Sequence, residues 1–285
     1  MKSNHPEILY HYTTMNSLWN ILNNITNKGD KDNPDYFFKI WVSCAQYMND
    51  PMEGVFFRKC LYAAFMNYQE KNDIEDKSDY LNFAFTALNF HRQTFYVFSL
   101  SEHRDSLSMW RSYGNNGQGI AIGFDVNELS AATSGFSGCH FLKIIYRSEQ
   151  NFINTFTDND LELAHHAIEI GEENLFCSVK YQDYEFLHDK YQNVKNICYS
   201  DEKEWRLVFD DELYKEKEFR ERNGLIIPYY EIELPLNVIR CFIIGPCANQ
   251  ELSKSSLDSM LFHKARGFRE NEDKIYLSEV PYVLR

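Results

Sequence analysis

The sequence predicts an α+β protein. Strand-like stretches recur along most of its length, and the helices between them follow no regular β-α-β alternation. The composition also demands a sizeable core. Of 285 residues, 44% are hydrophobic and 16% aromatic, with 19 Tyr and 22 Phe. So many rings must be buried, which excludes disorder, collagen and coiled coil. No linker is rich in Pro, Gly or Ser and no repeat is evident, so a single domain over 1–285 is expected.

Ile8 to Thr13 reads as a strand, with Leu9, His11 and Thr13 on one face and Ile8, Tyr10 and Tyr12 on the other. Thr14 is a plausible N-cap for a helix whose apolar positions are Met15, Leu18, Ile21, Leu22 and Ile25. A polar turn, 27–35, leads to a strand over Phe37 to Cys44. Asp50-Pro51 then opens a helix to about Tyr68, Asp50 as cap and Pro51 in the first position. A helix near 80–92 precedes a strand from Phe95 to Ser101, and a short helix over Asp105 to Tyr113 bears Trp110. The glycine-containing segment 114–119 turns the chain into a strand, Ile120 to Phe124, and another strand spans about 139–147. Helical stretches near 159–176 and 179–198 form a helical insertion, about 155–198 in all. From Glu204 the pattern alternates again: Trp205, Leu207 and Phe209 face one way, Glu204, Arg206 and Val208 the other. Strands at 225–234 and 238–244, a helix at 249–266 and a short terminal strand complete the order.

With 29 basic against 42 acidic residues the formal charge is −13. Non-specific binders of nucleic acid or anionic membrane carry a basic face, so the global field argues against both. Seven cysteines, an odd number with no Cys-x-x-Cys, fit small buried thiols in a reducing compartment. No signal core and no run of about 18 apolar residues is present, so a cytoplasmic protein off the membrane is expected.

The 114–119 glycines invite a phosphate-loop reading, but a strand follows them, not a helix with open N–H groups. Gly114 and Gly117 are better explained by a turn, and Gly123 by a close backbone approach. No metal site is expected: His165-His166 are adjacent rather than a helical turn apart, and Cys241 and Cys247 have no second pair. No Gly-x-Ser-x-Gly elbow is present.

Three segments carry chemistry. Tyr10-His11-Tyr12-Thr13 ends a strand with a ring nitrogen and a hydroxyl on one face. Phe98-Ser99-Leu100-Ser101 with Ser108 to Tyr113 assembles hydroxyls, the Arg111 cation and the Trp110 and Tyr113 rings. In Glu202-Lys203-Glu204-Trp205-Arg206, two charges share one face of an apolar strand, which implies an interior ion pair or a site. Core packing for Trp110 and a structural role for His11 are the competing readings.

Together with Met48-Asn49-Asp50-Pro51-Met52-Glu53, Gly119 to Phe124 and Ile243-Ile244-Gly245-Pro246, these segments resemble a bacterial family catalogued as domain of unknown function 2971. More distantly, a His and Thr at a strand end, then a helix, then a late Glu on a strand is similar to the ADP-ribosyltransferase superfamily. That resemblance implies a mixed, mainly antiparallel sheet with surrounding helices, and NAD as co-substrate. It implies that Glu204 bonds the 2′-hydroxyl of the nicotinamide ribose and that Glu202, on the same side of an extended chain, orients the acceptor. His11 would hold the adenosine ribose, with Tyr12, Thr13 and Ser99 nearby. Tyr113, or Tyr47 as its rival, would stack on nicotinamide beside Trp110, and Arg111 or Arg206 would offset the pyrophosphate. The expected partner is RNA, DNA or protein as acceptor, or a neutralising protein, as for a toxin or phage-defence effector. A non-catalytic nucleotide-sensing or protein-binding module, and a carboxylate-pair hydrolase, remain alternatives.

Overall fold

A computed structural model describes residues 6–30, 32–48, 55–74, 95–136, 138–162, 192–210, 216–222, 224–265 and 274–282. In chain order the elements are β1 (Ile8–Thr13), α1 (Met15–Asn23), β2 (Thr26–Asn27), β3 (Tyr36–Cys44), α2 (Val55–Asn72), β4 (Phe95–Ser101), α3 (Leu107–Ser112), β5 (Ile120–Asp125) and α4 (Val126–Thr133). They continue with β6 (Cys139–Lys143), β7 (Ile145–Arg147), α5 (Glu149–Ile153), β8 (Val194–Asn196), β9 (Glu204–Asp210), β10 (Glu218–Arg222), β11 (Leu225–Pro235), β12 (Ile239–Ile244), α6 (Gln250–Lys264) and β13 (Ile275–Leu277). The protein is α+β. Eleven of these strands form one sheet whose main path is β10-β11-β3-β4-β1-β5-β12-β13. Its pairings are antiparallel except β12 with β13.

β4 is where the sheet divides. One of its edges pairs with β9 over its full length, Phe95↔Asp210 to Ser101↔Glu204. The other edge is shared between two strands, β1 at Tyr10↔Ser101 and β3 at Ser43↔Val97 and Cys44↔Tyr96. Between these contacts β1 and β3 diverge, and the backbone around Ser99 faces a fork. That fork positions the site.

Alternation builds the core behind it. The predicted inner face of β9, Trp205, Leu207 and Phe209, joins Leu9, Phe38, Ile40, Val42, Phe124 and Phe242 in the largest cluster, with Leu18 and Leu22 of α1. A second cluster packs Phe56, Phe57, Leu61 and Phe65 of α2 against Phe152, Phe156 and Val194. The predicted Thr14 cap is present, Thr14 Oγ1 accepting from Ser17 N at 3.0 Å. Residues 113–118 form the predicted turn. There Gly117 has φ +85°, a region that side chains with a Cβ rarely adopt. Gly123 is a close approach, but to side chains: a Cβ there would sit 2.6 Å from Cys241 Sγ.

Several expectations need correction. The segment ending near 198 is not helical to its end, since Val194–Asn196 pairs in parallel with β7 and Asn196 Oδ1 caps a 3-10 turn over Ile197–Glu202. The 139–147 strand is two strands divided at the buried Ile144, whose N–H donates to Glu204 O at 3.0 Å. The chain between Glu202 and Glu204 is not extended, because Lys203 adopts a left-handed conformation with φ 42°. Strand β10 and helices α4 and α5 were not foreseen. The Asp50-Pro51 helix start, the helix near 80–92, and most of the insertion lie outside the described residues.

Candidate functional site

The fork opens into a cleft of about 640 Å³. β4 forms its floor at Val97 to Leu100, β1 lines it with Tyr10 to Thr13, and α1 lends polar residues including Asn16 and Asn20. β3 and β10 supply Trp41, Ser43 and Arg220, while Tyr113, Lys195, Glu202 and Glu204 close the opposite end. A volume in this range suits a cofactor-sized ligand.

At the fork, the Ser99 carbonyl is answered by a side chain: His11 Nδ1 lies 2.9 Å away and donates to it. The imidazole is stacked on Phe98, with ring centroids 4.3 Å apart. Burial pushes the His11 pKa down and the Arg220 charge adds to this, against the Ser99 bond that raises it. His11 is therefore neutral at physiological pH, its proton sits on Nδ1, and Nε2 is left as an acceptor on the cleft wall. Beside it, Ser99 Oγ is buried and has no hydrogen-bond partner among the described residues.

The far end is a buried ionic network. Glu204 is 5% exposed and Arg206 only 1%. Arg206 Nε donates to Glu204 Oε1 at 3.0 Å and Nη2 to Oε2 at 3.2 Å, while Nη1 donates to Gln192 O at 3.1 Å. Lys195 Nζ bridges the two carboxylates, 2.7 Å from Glu204 Oε2 and 2.9 Å from Glu202 Oε2. Tyr113 Oη donates to Glu202 Oε1 at 2.6 Å, and Tyr146 Oη accepts from Glu204 N at 2.8 Å. Burial alone would raise the Glu204 pKa, but the Arg206 and Lys195 charges outweigh it and hold the carboxyl well below the usual range. Burial pushes the Tyr113 phenol up, as does the adjacent Glu202 charge. Burial likewise takes Tyr146 to about 12.

The cleft thus brings together His11, Tyr12, Thr13, Ser99, Tyr113, Glu202 and Glu204. Tyr12 has its hydroxyl turned away, donating to His103 O at 3.0 Å. Three other residues of the expected site lie elsewhere. Trp110 is fully buried and its indole N–H donates to Asp105 Oδ1 at 2.6 Å, so it is core. Arg111 is exposed on α3 and does not line the cleft. Arg206 does not line it either, because its guanidinium is directed at Glu204 and the Gln192 carbonyl. Tyr47 is 38% exposed outside the cleft, whereas Tyr113 lines it.

Sequence reasoning missed Lys195, Trp41 and Arg220. Lys195 fell in a stretch read as helix, and Arg220 in charged alternation that carried no apolar signal. Among the described residues, no group of three or more His, Cys, Asp or Glu is placed to hold a metal, and no helix is long and apolar enough to cross a membrane.

No curated protein and no solved structure matches the chain. Residues 109–207 match the model of a family described as Protein of unknown function (DUF2971). That stretch contains Trp110, Tyr113, the Gly119 to Phe124 strand and the Glu202 to Arg206 segment. Over Met109 to Leu207, about a third of its length, the chain is therefore similar to the family its motifs resemble, Protein of unknown function (DUF2971).

Proposed function

We propose that this protein is an NAD-consuming ADP-ribosyltransferase, acting on a nucleic acid or protein acceptor as a toxin or antiviral effector would. The observation that carries the reading is convergence: His11 and Glu204 are far apart in the chain yet line one cleft with Ser99 and Tyr113. In the reaction the bond from ribose C1′ to the nicotinamide nitrogen breaks and its electron pair leaves with the ring. The pyridinium charge is thereby discharged onto an oxocarbenium-like ribose. A nucleophilic oxygen or nitrogen of the acceptor then bonds C1′, and its proton passes to Glu202.

Glu204 suits the 2′-hydroxyl contact. Its carboxylate has about four acceptor positions, of which Arg206 takes two and Lys195 one. The remaining position is on Oε1, and a fixed, ionised acceptor favours positive charge developing beside it. His11 Nε2 and Ser99 Oγ supply an acceptor and a hydroxyl for the other ribose. Tyr113, tethered to Glu202, offers a ring to the nicotinamide plane.

The same network favours a second reading. Two cations on Glu204 reduce the negative field it projects into the cleft, as suits a nucleotide-binding module without turnover. Nicotinamide release from NAD separates the two readings. The transferase reading expects release that falls at least about 100-fold in Glu204→Gln, the scale of losing one group that stabilises a transition-state charge. Because that variant also leaves Arg206 short of a partner, Glu202→Gln serves beside it, with folding of each checked by circular dichroism. No release from folded wild-type protein, with a cell extract as acceptor, discards the transferase reading.

A further inference from the structure

Helix α1 follows β1 after the single residue Thr14, so the strand that carries His11 runs directly into a wall of the cleft. Its sequence over Met15–Asn23 holds no charged residue. The helical period divides it into two faces. Leu18 and Leu22 are buried in the main core, with Met15 packed against it. The opposite stripe turns Asn16, Ser17 and Asn20 to the cleft.

Asparagine is a costly choice for that stripe. Inside a helix it is less favourable than the Lys, Glu, Gln or Arg that commonly cover an outer face, because its short amide competes for backbone groups. Capping does not account for it, since Thr14 caps the N-terminus and its Oγ1 lies 3.0 Å from both Ser17 N and Ser17 Oγ. At the C-terminal end Asn24 Nδ2 donates to Asn20 O at 2.9 Å, a bond to the backbone that leaves the Asn20 carboxamide uncommitted. Among the described residues neither the Asn16 nor the Asn20 carboxamide has a hydrogen-bond partner, although Asn20 is half-buried. The two are one turn apart, about 6 Å along the axis, so both reach a single planar group. The same cleft holds the unpartnered Ser99 Oγ and the acceptor Nε2 of His11. A helix wall of neutral donors and acceptors suits an uncharged, hydrogen-bonding part of a ligand rather than its phosphates.

We propose that Asn16 and Asn20 read the adenine ring of a nucleoside ligand, a carboxamide oxygen accepting from the 6-amino group and a carboxamide N–H donating to the adjacent ring nitrogen. Each carboxamide carries a donor beside an acceptor, and so does the edge of adenine. The inference rests on the reading of the cleft as an NAD site and names the residues that hold the base, but it requires no turnover.

The test is calorimetric titration with adenosine, guanosine and purine riboside, which is adenosine without its 6-amino group. Asn16→Ala and Asn20→Ala are each expected to weaken adenosine about 2- to 10-fold, and the double variant about 5- to 100-fold. Wild-type protein should bind purine riboside and guanosine more weakly than adenosine, and the double variant should bind adenosine and purine riboside alike. Alanine is the better helix former, so the thermal midpoint should hold or rise in each variant while affinity falls. Adenosine affinity unchanged in the double variant, purine riboside or guanosine bound by wild type as tightly as adenosine, or no binding of adenosine to wild type overturns the assignment. Asparagine-dependent adenosine binding in protein that releases no nicotinamide keeps the base site and removes the transferase reading. Nicotinamide release with a KM for NAD that the double variant leaves unchanged does the reverse.

Discussion

Two carboxylate centres meet the 105–113 segment, a half-buried one at Asp105 and a buried one at Glu204. Asp105 accepts from the Trp110 indole at 2.6 Å, from Ser278 Oγ at 2.6 Å and from Glu279 N at 2.8 Å. Every one of these donors is neutral. Glu204 instead takes Arg206 and Lys195, and Lys195 is shared with Glu202. The first centre ties α3 to the chain after β13 and lies off the cleft. The second borders a cavity of about 640 Å³. Neutral donors suffice when a carboxylate only has to tie two segments together. Placing two cations and two anions in an interior carries a desolvation penalty, and a fold that needed only a staple would gain nothing from it.

That contrast predicts unequal damage. Arg206→Leu leaves Glu204 buried with Lys195 as its remaining cation, and a loss of about 3–5 kcal/mol is expected in denaturant unfolding. Asp105→Asn removes a charge whose hydrogen bonds among the described residues come from neutral donors, and about 1–3 kcal/mol is expected. It should also leave nucleotide binding in the cleft unchanged. An Asp105→Asn loss as large as that of Arg206→Leu would mean that the two centres are equivalent staples.

Acid should separate them next. The Glu204 pKa is depressed in the folded state relative to the ordinary 4.5. Its ion pairs therefore add stability that is fully present above the unfolded value and is lost as pH falls through the folded one. The stability gap between wild type and Glu204→Gln, taken from denaturant midpoints, should be widest near neutrality and narrow below about pH 4.5. A gap that holds constant down to pH 3 would show that Glu204 gains nothing from its cations.

Periodicity explains what was legible beforehand. The two faces of β9 and the Thr14 cap depend on local pattern, and a period of two states which residues share a face. His11, Ser99, Tyr113 and Glu204 were visible as residue types at strand or helix ends. The fork was not visible, because it arises from three strands competing for the edges of β4, at separations no local window spans. Trp110 and Arg206 drew the eye as large or charged residues, yet Asp105 and Glu204 draw them inward. Lys195 was hidden for the opposite reason: a lone lysine in a polar stretch reads as surface until β7 pairs with β8 and buries it.

The smallest expected effect tests the fork most directly. Ser99 Oγ is a buried hydroxyl without a partner among the described residues, next to a carbonyl already served by His11. A hydroxyl desolvated and left unsatisfied lowers stability, so Ser99→Ala should leave unfolding unchanged or raise it by up to about 1 kcal/mol. If the fork exists to bind a ligand, the same change should cost about two- to tenfold in ADP-ribose affinity, the range of one neutral hydrogen bond. The two signs oppose each other, and no purely structural role produces both. A destabilised Ser99→Ala with unaltered ligand affinity would assign the hydroxyl to the fold and leave His11 Nε2 as the fork's own contribution to binding.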